Sequence, residues 1–111
     1  MFVQVTNNEV RLIGDNFQTI RTIATNAKSA DRHSKNPVSV IVHTTGSVVL
    51  YDDNARTLRT LTSGATSGVF NGDDVVIKKS NGKTEVWTQD GRLLRTMDSM
   101  NLKQLISDLG L

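Results

Sequence analysis

Cysteine is absent from the 111 residues and proline occurs once, at Pro37. Without cysteine there is no disulfide framework, no thiol nucleophile and no thiolate metal site. Aromatic residues are also few: Phe2, Phe17, Tyr51, Phe70 and Trp87. None interleaves with a basic cluster in the way a base-stacking platform requires. No stretch of about 18 apolar residues occurs, and Met1-Phe2-Val3-Gln4-Val5-Thr6 has no basic region leading into an apolar one. The expectation is a soluble, cytoplasmic protein with no membrane association. Charge of either sign is scarce in excess: 13 Lys and Arg oppose 11 Asp and Glu, for a formal net charge of +2. That balance permits a polyanion partner without arguing for one.

What the chain does have is an internal repeat. Glu9-Val10-Arg11-Leu12-Ile13-Gly14-Asp15-Asn16 leads to Thr19-Ile20-Arg21-Thr22-Ile23, and Ser47-Val48-Val49-Leu50-Tyr51-Asp52-Asp53-Asn54 leads to Thr57-Leu58-Arg59-Thr60-Leu61. A third copy runs from Thr84-Glu85-Val86-Trp87-Thr88-Gln89-Asp90-Gly91 to Leu93-Leu94-Arg95-Thr96-Met97. Aligning the turn aspartates 15, 53 and 90 places Leu12, Leu50 and Trp87 at one repeat position, expected on the buried face of their strands. Fixed-period self-similarity of this kind is the mark of a repeat architecture. Short runs of β-branched and aromatic residues punctuated by Asn, Asp and Gly are strand-and-turn chemistry. Upstream strands are predicted over Phe2 to Thr6, Val38 to Thr44 and Asp74 to Lys79, with hairpin turns at Asn7-Asn8, Thr45-Gly46 and Asn81-Gly82. Copies two and three gain a further strand from Ala27-Lys28-Ser29-Ala30 and Ala65-Thr66-Ser67-Gly68, whose small residues suit a crowded inner position. Copy one, starting at Met1, is expected to lack it.

Ser67-Gly68-Val69-Phe70-Asn71-Gly72-Asp73, Val75-Val76-Ile77 and Gly82-Lys83-Thr84-Glu85-Val86-Trp87-Thr88 together resemble a WD-repeat or related β-propeller blade. Gly46-Ser47-Val48-Val49-Leu50-Tyr51-Asp52 is a looser version of the same pattern. Trp87 is followed by Thr88 rather than Asp, and no Gly-His pair occurs, so the resemblance implies architecture alone. Propellers serve many unrelated functions. The predicted fold is all-β: three β-meander blade-like repeats forming a partial propeller over 1–97, with copies at about 1–23, 24–61 and 62–97. Over 98–111, Leu102, Leu105, Ile106 and Leu109 fall at helical spacing, which predicts a short C-terminal amphipathic helix. The alternative is a strand donated to the vacancy in copy one of a neighbour.

Catalytic candidates are poor. His33 and His43 are the only imidazoles, and neither has a second His or Cys at metal-ligand spacing. Asp52-Asp53 and Asp73-Asp74 sit at turns, where aspartate caps backbone amides; Ca²⁺ binding is the competing use. Gly64, Gly68, Gly72 and Gly82 are too scattered for a phosphate loop. No catalytic residues, metal or cofactor are therefore expected, and the chain is read as a non-enzyme. Two basic features remain. Arg21, Arg59 and Arg95 recur at one repeat position and would form an arc for phosphates or carboxylates, or a solvated face guarding a sheet edge. Lys28, Arg32 and Lys35 lie in a basic 27–36 loop, either anion-binding or simply solvated. The reading is an interaction module that binds a protein partner and self-associates as a homo-oligomer, a dimer favoured, with Leu102, Leu105, Ile106 and Leu109 as oligomerisation candidates. Nucleic-acid or other polyanion binding is the alternative.

Overall fold

A computed structural model describes residues 1–98, all of whose regular structure is β. Of the candidate helix over 98–111, Asp98 ends a strand, and the rest, with Leu102, Leu105, Ile106 and Leu109, lies outside the described residues. The strands are β1 (Phe2–Thr6), β2 (Glu9–Ile13), β3 (Thr19–Ala24), β4 (Ala27–Arg32), β5 (Val38–His43), β6 (Val48–Asp52), β7 (Thr57–Thr62), β8 (Ala65–Asn71), β9 (Asp74–Lys79), β10 (Lys83–Trp87) and β11 (Leu93–Asp98). They form three antiparallel meanders: a three-stranded first sheet β1-β2-β3, a middle sheet β4-β5-β6-β7 and a last sheet β8-β9-β10-β11. The basic segment foreseen as a loop over 27–36 is a strand as far as Arg32, because β4 pairs with β5 from Ala27 opposite His43 to Arg32 opposite Ser39.

The sheets stack face to face. Strand alternation points Val3, Val5, Val10, Leu12 and Ile23 of the first sheet toward Ala27, Ile41 and Tyr51 of the middle sheet. The opposite face of the middle sheet presents Val38, Val40, Val42, Val48, Leu50 and Leu61 to Ala65, Phe70, Val75, Ile77 and Trp87 of the last. We call the side toward the next sheet forward and the other backward. The middle sheet is thus covered on both faces, and five consecutive residues of β5, Val38 to Val42, are buried. Apart from Ser39, the run Val38-Ser39-Val40-Ile41-Val42 is apolar, as strands buried on two sides are. Gly68 lets β8 approach closely, since a Cβ there would lie 3.4 Å from methyls of both Val40 and Val42.

Backbone ties recur between sheets. The hairpin carbonyl of Asn8 accepts from Ala27 N–H at 2.8 Å, and that of Gly46 accepts from Ala65 N–H at 3.0 Å. Each connects the β-turn of one sheet to the first residue of the next sheet's first strand.

The repeat register differs from the one the turn aspartates suggest. Leu12 pairs with Arg21, Leu50 with Arg59 and Val86 with Arg95. Val86, not Trp87, is therefore the counterpart of Leu12 and Leu50, and it is buried as they are. Trp87 corresponds to Tyr51 and Ile13, points backward onto the core of the middle sheet, and donates its indole N–H to Glu85 at 3.0 Å. Conserved geometry, rather than the aspartates, defines the turn. In each copy a residue with positive φ closes it, Phe17 (64°), Ala55 (67°) and Gly91 (94°), and its N–H is donated to the carbonyl of Gly14, Asp52 or Thr88.

Candidate functional site

Two kinds of surface compete as the working part of the molecule: the basic residues, and the two outer faces of the stack.

Arg32 is engaged internally. Its Nε and Nη2 donate to the two carboxylate oxygens of Asp53 at 3.1 and 2.7 Å, a bidentate pair joining β4 to the β6–β7 turn. The Asp53 hydrogen bonds raise the Arg32 guanidinium above its ordinary pKa against the opposing effect of burial. The same charge reaches Asp15 in the β2–β3 turn of the first sheet. There the Met1 ammonium, 2.7 Å away, holds the Asp15 carboxyl below the usual carboxylate value and Arg32 adds a smaller pull. Lys28 and Lys35 are exposed, on β4 and in the turn after it.

His33, 3% exposed, is a structural tie. Its Nδ1 accepts the backbone N–H groups of Lys35 and Asn36, each at 3.0 Å, so the ring proton sits on Nε2 and is donated to Asp73 at 2.8 Å in the last sheet. The ring also meets Phe70 edge-on, with centroids 5.1 Å apart. Beside it, Asp31 accepts the Phe70 N–H at 2.8 Å. Asp31, Arg32 and His33 thus spend their chemistry on holding three turns and two sheets together. His43 is likewise satisfied: Nδ1 donates to Thr25 O at 3.1 Å, leaving Nε2 to accept from Tyr51 Oη at 2.8 Å. Asp52 caps its own turn, accepting from Asn54 and Arg56 N–H at 2.9 Å. Among the described residues no group of three His, Asp or Glu is placed to hold a metal ion, and no helix is long and apolar enough to cross a membrane.

The arginines at the shared repeat position are in register, and all three are exposed. Each lies on the forward side of an outermost strand, opposite Leu12, Leu50 or Val86. Arg59 crosses to the next sheet: a Cβ built on Gly91 would lie 3.1 Å from its Nη1 and 3.2 Å from its Cδ. It therefore lies over the β10–β11 turn.

The outer faces are different in composition from the buried ones. At the positions filled by Val38, Val40, Val42, Val48, Leu50 and Leu61 in the middle sheet, the forward face of the last sheet carries Asp74, Val76, Lys78, Thr84, Val86 and Met97. Val69 of β8 extends it, and Val69 and Met97 are exposed. The backward face of the first sheet carries Phe2, Gln4, Thr6, Arg11 and Ile13, with Phe2 stacked edge-on to Phe17 at 6.2 Å. Arg11 there is paired with Glu9 at 3.2 Å. The last sheet's face centres on Val69, Val76 and the buried Val86 with Asp74 and Lys78 beside them, whereas on the first sheet's face Gln4 and Arg11 hold the centre and the apolar pair Phe2 and Ile13 lies at one end.

No protein-family model matches the chain, and no curated protein matches it. Three repeated antiparallel sheets of three or four strands are consistent with propeller-like blades, but no homology ties them to the WD-repeat family. Sequence reasoning found the basic residues and missed the backward-facing aromatics; Phe2 and Phe17 are 15 positions apart in a run that otherwise reads as a strand and its turn.

Proposed function

We propose that the repeat domain, residues 1–97, is a non-enzymatic interaction module that self-associates through the two outer faces of its stack, completing a propeller-like ring, and that the assembly binds a protein partner. The observation that carries this reading is the middle sheet. It is the same meander as its neighbours, and it is buried on both faces, whereas each outer sheet has one face so covered by its neighbour within the described residues. A sheet type whose stable environment is two-sided gains by finding a neighbour for its other face. Two chains would bring six sheets together, within the range of about four to eight blades seen in closed propellers. A closed symmetric dimer is the smallest assembly that leaves neither outer face open.

Polyanion binding is the weaker reading because Arg32 is already paired with Asp53, which leaves Lys28, Lys35, Arg21, Arg59 and Arg95 as its basic groups. Sedimentation velocity of the intact chain over a concentration series, at low and high salt, separates the two. Self-association through the outer faces predicts a mass that rises with concentration toward a dimer at either salt. A monomer at all concentrations, with heparin retention that collapses steeply as salt rises, would favour the polyanion reading.

A further inference from the structure

Among the described residues His33 is the one buried side chain that can change its charge, and both of its ring nitrogens are in use. Nδ1 accepts from two backbone N–H groups in succession, those of Lys35 and Asn36, each at 3.0 Å. A nitrogen so placed must keep its lone pair, because a proton on it would face two other N–H protons. The same segment is closed by the His33 N–H donated to the Val38 carbonyl and the Val38 N–H donated to the Asn36 carbonyl, each at 2.8 Å. The imidazole is thus the acceptor around which residues 34–37 fold. Nε2 donates to Asp73 at 2.8 Å, a bond that the neutral and the protonated ring make alike. We propose that the segment from Ser34 to Pro37 is a proton-controlled flap, held closed by the neutral His33 ring and released by protonation at Nδ1 while the ring stays anchored on the last sheet.

The charges around the ring fix which contact yields. On the last sheet stand Asp73, 84% exposed, and Asp74 beside it in the same turn. On its own strand, Asp31 accepts the Phe70 N–H and Arg32 is paired with Asp53 of the β6–β7 turn. The flap itself brings the exposed Lys35. The Asp73 carboxylate accepts from a charged ring more strongly than from a neutral one, so protonation reinforces the anchor. At Nδ1 the two groups that meet the ring are both donors, and no acceptor there takes the added proton. Turning the ring over gives no escape, since in imidazolium both nitrogens carry hydrogen. The edge-on contact with Phe70, centroids 5.1 Å apart, keeps the ring in its plane. Opening the flap costs little burial, because Ser34, Lys35, Asn36 and Pro37 are all exposed while His33 before them and Val38 after them are buried. Acid therefore loosens this corner of the middle sheet without taking anything from either core.

The test is nuclear magnetic resonance of the full chain between about pH 7.5 and about pH 5, the range in which imidazoles change charge. Nitrogen shifts of the His33 ring report where its proton sits, and hydrogen-exchange protection factors of the Lys35 and Asn36 amides report the flap. At the upper pH the proton should be on Nε2 and both amides protected. Once the ring is protonated, their protection should fall about tenfold for each further pH unit, as release linked to one proton requires, while Val40 and Ile41 of β5 keep theirs. His33→Asn supplies the control: its Oδ1 can accept the same two N–H groups as an Asx turn and does not titrate, so the flap should stay closed throughout. Protection of Lys35 and Asn36 that is constant down to about pH 5 overturns the proposal. So does a ring proton found on Nδ1 at the upper pH, or a His33→Asn chain whose flap opens in acid as the wild type's does.

Discussion

Neighbouring residues Val40 and Ile41 offer a demanding check on the stack. In a sheet covered on one side, adjacent residues alternate between core and solvent, so one of two neighbours tolerates truncation. Here both are 0% exposed, Val40 in the core shared with the last sheet and Ile41 in the core shared with the first. Ile41→Ala removes three buried carbons, about 2.4 kcal/mol at about 0.8 kcal/mol each, and the incompletely collapsed cavity brings the cost to about 3–4 kcal/mol. Val40→Ala removes two carbons, for about 2–3 kcal/mol on the same reasoning. The side chains enter separate cores, so the double mutant should be additive within about 0.5 kcal/mol. Its summed loss approaches the whole stability of a domain this size, about 5–15 kcal/mol, so the double variant is best read at low temperature or with a stabilising osmolyte. Urea denaturation followed through Trp87, the only tryptophan, supplies the assay. A loss below about 1 kcal/mol at either position would refute the two-sided burial of the middle sheet.

Other substitutions probe the ties within and between sheets. His33→Ala leaves two backbone N–H groups without their acceptor and removes the Asp73 hydrogen bond and the Phe70 contact; it should cost about 2–3 kcal/mol in urea denaturation, and a neutral result would deny its role as a tie. Arg32→Ser leaves Asp53 partly buried without its partner and should lower stability by about 1–2 kcal/mol, while Lys28→Ser and Lys35→Ser, both exposed, should leave the denaturation midpoint unchanged. Gly46→Ala should be distinctly worse than Gly72→Ala in thermal denaturation: both sit at positive φ, 96° and 62°, but only at Gly46 does a Cβ approach backbone, 3.2 Å from Gly64 N, with open space at Gly72.

The parts of this fold legible in the sequence are those written in local chemistry. Asn7-Asn8 and the Gly46 and Gly82 turns announce the hairpins, and alternation or near-continuous apolar runs announce the strands. The small residues of Ala27 to Ala30 marked a strand, the first of the middle sheet, though their charged continuation read as a loop. The third copy was harder, because the feature that fixes its register is a backbone conformation shared by Phe17, Ala55 and Gly91, three side chains with nothing in common. Aligning Asp90 with Asp15 and Asp53 slipped the register by one and put Trp87 where Val86 belongs. The arginine period is the better ruler, since 59 − 21 = 38 and 95 − 59 = 36, and it follows the observed pairing. Partners distant in sequence left no such trace. Arg32 and Asp53 meet because the meander brings β4 and the β6–β7 turn of one sheet together, and His33 and Asp73 because the sheets stack, so an arginine of the basic cluster that looked free is bound within the protein.

The central claim is that assembly covers the outer faces of the stack and leaves its already buried middle unchanged. Amide hydrogen exchange of the intact chain, compared between dilute and concentrated solution, tests this directly. Protection should rise with concentration in β1 and β2 of the first sheet and in β8 to β10 of the last, while β5 of the middle sheet, closed on both faces in either condition, stays as it was. Protection that is independent of concentration throughout, or that rises in the middle sheet alone, would contradict the account.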